Sequence, residues 1–371
     1  MRVGVYFDGF ASMPDMLAAA RAAEEAGAGS LWFAQHMGHR EAFMSAAAAA
    51  GVTANAALVP TAINSYLWPP LSAAMSIATL RELAPGRAML AVATGNLLNL
   101  AESGITPVKP VRVMREYVGA LRALLAGEAV ELDGQISKLR GAHMKFLNGV
   151  AIPIYVASTG PRMLELAGEI GDGAVLSTGL TLATMRAALA HAEAGLRRAG
   201  RPLPSFRRAG FISLAVAEDA REARAALLPK LAFLFRSRNH AENIKSSGLD
   251  IDHAAIMAAC ARHDFKTAVA LLPEAAASTF GWRAPHANAA TGCTSFSRLG
   301  SMSPSSNSPA VPRRAGWRLP WCARWLRSTV RSERRYLSTQ SAQCSTESLP
   351  QGMIGTEEVE FFGEPSMILS L

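Results

Sequence analysis

Several short apolar runs in this chain end on residues able to do chemistry. Trp32-Phe-Ala-Gln-His36 ends on an imidazole, whose ordinary pKa lets it give or take a proton near neutrality. A lone histidine is more often structural, so its position in the fold must decide. The run Val3 to Phe7 ends at Asp8, a carboxylate that either faces a ligand or caps its own loop. Ala88 to Ala93 leads into Thr94-Gly95-Asn96-Leu-Leu-Asn99, where carboxamides donate and accept hydrogen bonds but cannot act as a general acid. Ile152 to Val156 leads into Ala157-Ser158-Thr159-Gly160, a small, hydroxyl-bearing turn directly before a helical pattern. Free backbone N–H groups and the helix dipole there favour a phosphate. The same residues also read as an ordinary helix cap by Ser158 or Thr159. Lys109 and Arg112 either reach a phosphate or are solvated charges at a helix start.

The elements that position these groups alternate. Val3 to Phe7 is followed by an Ala-rich helix from about Pro14 to Ala26, then by Ser30 to Phe33. Next come Val52 to Val59, a helix from about Leu71 to Leu83 stopped by Pro85-Gly86, the strand Ala88 to Ala93, and a helix from about Val111 to Leu125. Residues 127–147 interrupt the rhythm, and Glu131 to Lys138 reads as an inserted hairpin turning at Asp133-Gly134. The pattern resumes with Ile152 to Val156, a helix from Pro161 to Ile170, Ala174 to Leu176, a helix from about Leu182 to Arg198, and Arg208 to Val216. Strands and helices in this order predict an α/β fold with a parallel sheet, extended here to a (β/α)8 barrel. Working residues then sit at the C-terminal strand ends: Asp8, His36, Thr61 to Tyr66, Thr94 to Asn99, Ala157 to Gly160 and Ser177 to Gly179. Residues 217–275 hold helical patterns only, and the eighth strand that would complete the barrel is not visible.

Composition narrows the class. At 371 residues, 50% hydrophobic and 18% charged, the chain suits one large barrel or two ordinary domains and is too apolar to be disordered throughout. The start reads as a buried strand rather than a signal peptide, and no stretch reaches the roughly 18 uninterrupted apolar residues of a membrane helix. A cytoplasmic protein is expected. Of the cysteines, Cys260 stands apart from Cys293, Cys322 and Cys344, and no spacing suggests a disulfide or a metal site. The formal charge is +8, but the excess is local, with arginines crowded between Arg313 and Arg335. Nucleic-acid binding through Trp317, Trp321, Trp325 and those arginines would need a folded surface for which the sequence gives no sign.

From about Trp282 the texture changes to Ser, Arg, Pro, Trp and Cys, without either hydrophobic period. Back-translation with GC-rich codons and a one-base shift turns residues 282–309 into a lead-in, an amphipathic helix and an apolar strand. Those are the elements the barrel lacks. The expected organisation is therefore a barrel over residues 1–280, with the hairpin insertion near 127–147, and an atypical tail over 281–371 that is frameshifted or disordered. The last helix and strand are lost or disordered.

The motifs also carry a family resemblance. They are Asn64-Ser-Tyr-Leu-Trp-Pro-Pro70 before an Ala-rich helix, Ile77-Ala-Thr-Leu-Arg-Glu-Leu-Ala-Pro-Gly-Arg-Ala88, Thr94-Gly-Asn-Leu-Leu-Asn99, Lys109-Pro-Val-Arg-Val-Met-Arg-Glu-Tyr117, and the stretch Pro153 to Gly173. In order and spacing, over about residues 1–220, they resemble the bacterial luciferase-like family, especially its methylenetetrahydromethanopterin reductase-like branch. The resemblance implies an oxidoreductase that transfers a hydride between coenzyme F420 and a small organic substrate. A monooxygenase using reduced FMN and dioxygen is the alternative, and an inactive relic or flavin-binding scaffold is the non-catalytic reading. It implies that Ala157, Ser158, Thr159 and Gly160, with Ser177, hold the cofactor phosphate, and that Thr61-Ala62-Ile63 carries a non-prolyl cis peptide against the back of the ring. Asp8, Asn64, Thr94, Gly95 and Asn99 would line the cofactor, with His36 and Asn96 at the reacting centre. The related glucose-6-phosphate dehydrogenases have a histidine at this place and a glutamate where this chain has Asn96, so the sugar-phosphate reaction is not expected. Without a GxGxxG motif, reduced cofactor would come from a separate enzyme. A homodimer is compatible with the resemblance, and no metal is implied.

Overall fold

The computed structural model describes residues 2–177, 179–217, 220–285 and 366–370. In chain order the first half comprises β1 (Arg2–Phe7), α1 (Met13–Glu25), β2 (Ser30–Ala34), α2 (Ala42–Ala50), β3 (Ala57–Thr61), β4 (Ile63–Asn64), α3 (Pro70–Leu83), β5 (Leu90–Ala93), α4 (Leu97–Glu102) and α5 (Pro110–Leu125). A hairpin, β6 (Val130–Asp133) and β7 (Lys138–Ala142), separates these from β8 (Ile154–Ala157), α6 (Pro161–Ile170), β9 (Gly173–Leu176), α7 (Leu182–Arg198), β10 (Arg207–Ile212) and β11 (Leu214–Ala217). Then follow α8 (Ala220–Phe235), α9 (Ala241–Ser246), α10 (His253–Ala261), α11 (Phe265–Ala270), α12 (Glu274–Phe280), β12 (Trp282–Pro285) and β13 (Ser366–Ser370).

The main sheet has the order β3-β2-β1-β13-β10-β9-β8-β5-β4. Its pairs are parallel except where β13 meets β1 and β10. β3 and β4 are two pieces of one strand parted at Ala62, and Leu58 of β3 also bridges Ala88 in parallel, with Met89 N–H donating to Leu58 O at 3.0 Å. The two ends of the sheet order therefore meet. β2 is buried along its whole length, as expected of a parallel strand covered on both faces.

One face of these strands packs on the helices, and the other encloses a smaller cluster of Trp32, Val59, Met89, Ala91, Tyr155, Val175 and Ala209, with Tyr6 and Phe211 against it. Trp32 meets Tyr155 edge to face at 5.7 Å, and Phe211 stands edge-on to Tyr6 at 4.7 Å. Two glycines make room for these rings. A Cβ on Gly4 would lie 2.8 Å from the Trp32 indole nitrogen, and one on Gly173 would lie 2.6 Å from the Tyr155 ring. The rings fill the interior and leave the C-terminal strand ends for polar groups.

Helices α8 to α12 form a second apolar cluster around Leu231, Phe235, Ile256 and Phe280. Buried Asn243 ties it to the loop after β9, donating from Nδ2 to Gly179 O at 2.6 Å and accepting from Thr181 N at 3.0 Å. The end of α8 consequently lies over that loop, where a Cβ on Gly179 would meet Leu234 at 3.2 Å and Phe235 at 3.8 Å.

Several sequence expectations need correction. Residues 52–56 are not strand, because the Glu24 carboxylate accepts from the N–H groups of Ala54, Asn55 and Ala56 at 2.6–2.8 Å and takes them from the ladder. Helix α2, an alanine run with no polar face to mark it, was not anticipated. The hairpin turns through residues 134–137 rather than at Asp133-Gly134. Asp133 pairs with Lys138, Gly134 N–H donates to Ser137 O at 3.0 Å, and Glu116 of α5 accepts from Gln135 N at 2.8 Å. The stretch 208–216 is two strands, separated at buried Ser213, and β11 pairs in parallel with β12, inside the region where no period was visible. Between β1 and β10, where a parallel eighth strand belongs, β13 runs antiparallel. Residues 286–365, with Cys293, Cys322, Cys344, the tryptophan and arginine cluster and most of the frame-shifted reading, lie outside the described residues.

Candidate active site

His36 follows β2 and leans over the end of β1. Its Nδ1 is 2.9 Å from the Asp8 carbonyl oxygen, and its Nε2 is 3.3 Å from the Tyr6 hydroxyl. A carbonyl only accepts, so Nδ1 carries the hydrogen and Nε2 keeps the lone pair, towards which the Tyr6 O–H points. Burial holds the His36 pKa below the ordinary histidine value, against the raising effects of the Asp8 carbonyl and the Asp8 charge; the charges of His39 and Arg236 lower it further. The imidazole is therefore neutral at neutral pH. Burial, and then the Asp8 charge, push the Tyr6 phenol far up, so it stays protonated. Asp8 Oδ1 accepts from Phe10 N at 3.0 Å and so caps its own loop, while the carboxylate charge acts on both His36 and Tyr6. Arg40 Nη1 donates to Gly9 O at 3.1 Å and Phe10 O at 2.9 Å, clamping this loop beneath His36.

The β3–β4 join supplies a second group. The Thr61–Ala62 peptide is cis. Thr61 Oγ1 and Ser65 Oγ are buried with no hydrogen-bond partner among the described residues. Asn64 Oδ1 accepts from Tyr66 N at 2.9 Å, and the Asn64 amide occupies the place that a side chain on Gly95 would take, with Gly95 held at φ +84°. Ile63 is buried in the strand. Thr94 and Asn96 are half-buried, and Asn96 O accepts from Leu100 N at 3.0 Å to open α4, so Asn99 stands on a helix rather than a loop.

At the start of α6, Ser158 Oγ accepts from Gly160 N at 3.1 Å, while Ser158 N donates to Val175 O and so fastens the turn to β9. Gly160 is the N-cap without a side-chain cap, Thr159 is exposed, and Ala157 ends β8. Ser177 lies just past β9. These groups stand at the C-terminal ends of neighbouring strands β8 and β9, whereas Lys109 and Arg112 belong to the start of α5, where Arg112 is spent on Glu116 at 2.7 Å. No group of His, Cys, Asp and Glu suited to a metal ion occurs among the described residues. No described helix is long and apolar enough to cross a membrane.

The profile of the luciferase-like monooxygenase family matches residues 2–289. The chain belongs to this family. A 5,10-methylenetetrahydromethanopterin reductase of Archaeoglobus fulgidus is 34% identical over 212 residues, which are 57% of this chain and 63% of that protein. An F420-dependent glucose-6-phosphate dehydrogenase of Beutenbergia cavernae is 34% identical over 177 residues, 44% of this chain and 53% of that protein. The chain thus spans somewhat under two thirds of these relatives. Among solved structures, the coenzyme F420-dependent tetrahydromethanopterin reductase of Methanopyrus kandleri superposes with a TM-score of 0.72 at 24% identity, over 81% of this chain and 91% of that one. The fold is that of the luciferase-like (β/α)8 barrels.

Tyr6, Phe10, Arg40 and Arg236 were missed by sequence reasoning, which reached Ser65 only within the run Thr61 to Tyr66. Tyr6 had a usable signal, because strand alternation puts it on the same face as Asp8. Arg236, just past the end of α8, had none.

Proposed function

We propose that this family member is an oxidoreductase that transfers a hydride between coenzyme F420 and a small organic substrate. The observation that carries the reading is the neutral His36, fixed by Tyr6 and the Asp8 carbonyl at the C-terminal strand ends that also carry the Thr61 and Ser65 hydroxyls, which have no partner among the described residues. Buried hydroxyls without partners are costly, and the polar edge of a deazaflavin would satisfy them. The residues present fit the cofactor: the Thr61 to Ser65 segment and Asn64 beside Gly95 for the ring, and the Ser158–Gly160 turn with Ser177 for the phosphate. When bound, F420 supplies a carrier for two electrons and a proton's worth of hydrogen as hydride.

The chain's own residues then manage the remaining proton. As a hydride leaves the carbon of a substrate alcohol, the hydroxyl proton passes to His36 Nε2 and a carbonyl product is left; the reverse reaction returns both. The Tyr6 contact at 3.3 Å is long for a hydrogen bond and yields to the substrate without a large penalty. Aromatic filling below the rim keeps the interior dry. Asn96, a carboxamide, orients a ligand without donating a proton. That argues against the sugar-phosphate reaction of the glucose-6-phosphate dehydrogenases and leaves another small substrate.

Fluorescence titration of the purified chain with F420 and with FMN tests the reading. Tight binding of F420 alone is expected, tight binding of FMN alone would shift the reading to a monooxygenase, and binding of neither, by this chain and by one with the frame of its tail restored, would sink it. The antiparallel β13 at the β1–β10 seam favours a second form of the experiment, with the frame of the tail restored. Loss of binding in this chain and its recovery in the restored form would mark a broken enzyme. Gly95→Val should weaken F420 binding by about tenfold, because a side chain at positive φ displaces the Asn64 amide. An unchanged affinity would remove Asn64 from the site.

A further inference from the structure

Arg236 is a half-buried cation that the reaction described above does not use. It follows the end of α8, the segment that lies over the Gly179 loop at the C-terminal end of β9. Its Nη1 donates to Phe233 O at 2.7 Å, and its guanidinium lies 3.4 Å over the Phe233 ring. No carboxylate lies within ion-pair distance of it among the described residues. A desolvated guanidinium held in place by a ring and a carbonyl retains N–H donors in its planar fork, a geometry that matches an oxyanion. The Gly179 loop beside it follows the C-terminal end of β9, the side of the barrel on which His36 follows β2; its charge helps to lower the His36 pKa, and the Glu102 and Cys260 side chains act on it from α4 and α10.

We propose that Arg236 is a specificity-determining residue that takes a carboxylate or phosphate carried by the substrate, so that the enzyme selects small anionic substrates. Resting on the F420 reading of the same site, this assigns the ring and cofactor phosphate to the β3–β4 and β8–β9 ends and the substrate's anionic end to α8. The guanidinium then has two tasks. It compensates the buried anion, and it sets the distance from that anion to the carbon facing His36.

The test is calorimetric titration of the full chain, free and saturated with F420, with inorganic phosphate and with acetate. Wild-type protein loaded with F420 is expected to bind one or both anions, Arg236→Met to bind at least tenfold more weakly, and Arg236→Lys to fall between them. Arg238→Met, at an exposed position two residues on, should match wild type. F420 affinity should be the same in Arg236→Met as in wild type. Equal anion binding by Arg236→Met and wild type would overturn the proposal. So would a loss of F420 affinity in Arg236→Met, which would give the guanidinium to the cofactor's own phosphate. Failure of the chain to bind F420 both as it stands and with the frame of its tail restored would sink the cofactor reading instead, and the anion titration of the free chain, wild type against Arg236→Met, would still decide for or against the Arg236 site.

Discussion

Replacing His36 by Ala should lower the rate of hydride transfer by about 10²–10⁴-fold at neutral pH while leaving F420 affinity nearly unchanged. The reasoning is that His36 acts on the substrate proton, while the ring and phosphate contacts assigned to the cofactor come from other strand ends. Single-turnover reduction of F420 by a panel of small alcohols, followed through the loss of deazaflavin absorbance, gives the rate constant. The pH dependence adds a second signature. His36 must be neutral to accept the proton, and burial holds its pKa below the ordinary histidine value, so the rate in the oxidising direction should persist below that value before it falls. His39, Asp8 and Tyr6 adjoin the ring and the Arg236 charge also acts on it, so removing that charge should move the acid limb upwards. A His36→Ala rate within a few-fold of wild type would make this histidine structural and return the proton to solvent.

What the sequence made legible follows from how local each feature is. His36 could be read because it directly ends an apolar run, and Ser158 to Gly160 because a small turn between strand and helix needs no tertiary information. The phosphate role of that turn stays a proposal, since Ser158 Oγ accepting from Gly160 N serves an ordinary turn equally well. The cis peptide at Thr61–Ala62 was expected only through resemblance, and the structure has it. Alternation along β1 puts Tyr6 on the face of Asp8 but does not name its partner, His36, which lies thirty positions away. Helix α2 and the true start of β3 were obscured because alanine carries little period and because a distant carboxylate, Glu24, decides where the ladder begins. Arg236 and His240 reach the rim only because Asn243 pins the second apolar cluster to the Gly179 loop, a contact spanning more than sixty residues.

That cluster should also make the protein sensitive to acid. His240 is buried, its ring lies 5.6 Å from that of Phe235, and its Nδ1 has no partner among the described residues. Burial, and then the charge of His253, bring its pKa down to about 4. Because the folded value lies below the unfolded one, the unfolded chain binds more protons between the two, and stability rises with pH across that window. The contribution is complete above the ordinary histidine pKa of about 6.5 and is lost as pH falls towards 4, at a cost of about 3 kcal/mol. His36 adds to the loss with the same sign. Carboxylates held low by arginines, such as Glu165 and Glu169, also lose their bonds on acidification, so the readout must be a difference. Urea midpoints measured at pH 7 and pH 4.5 should converge far less for wild type than for His240→Phe, which keeps an aromatic ring against Phe235 and has nothing to protonate. His240→Gln provides the polar control, neutral at both pH values, should Phe not fit. If wild type and both variants lose the same stability on acidification, the imidazole is not the acid-sensitive group, and the weakness lies in the carboxylate pairs of α6 and α7.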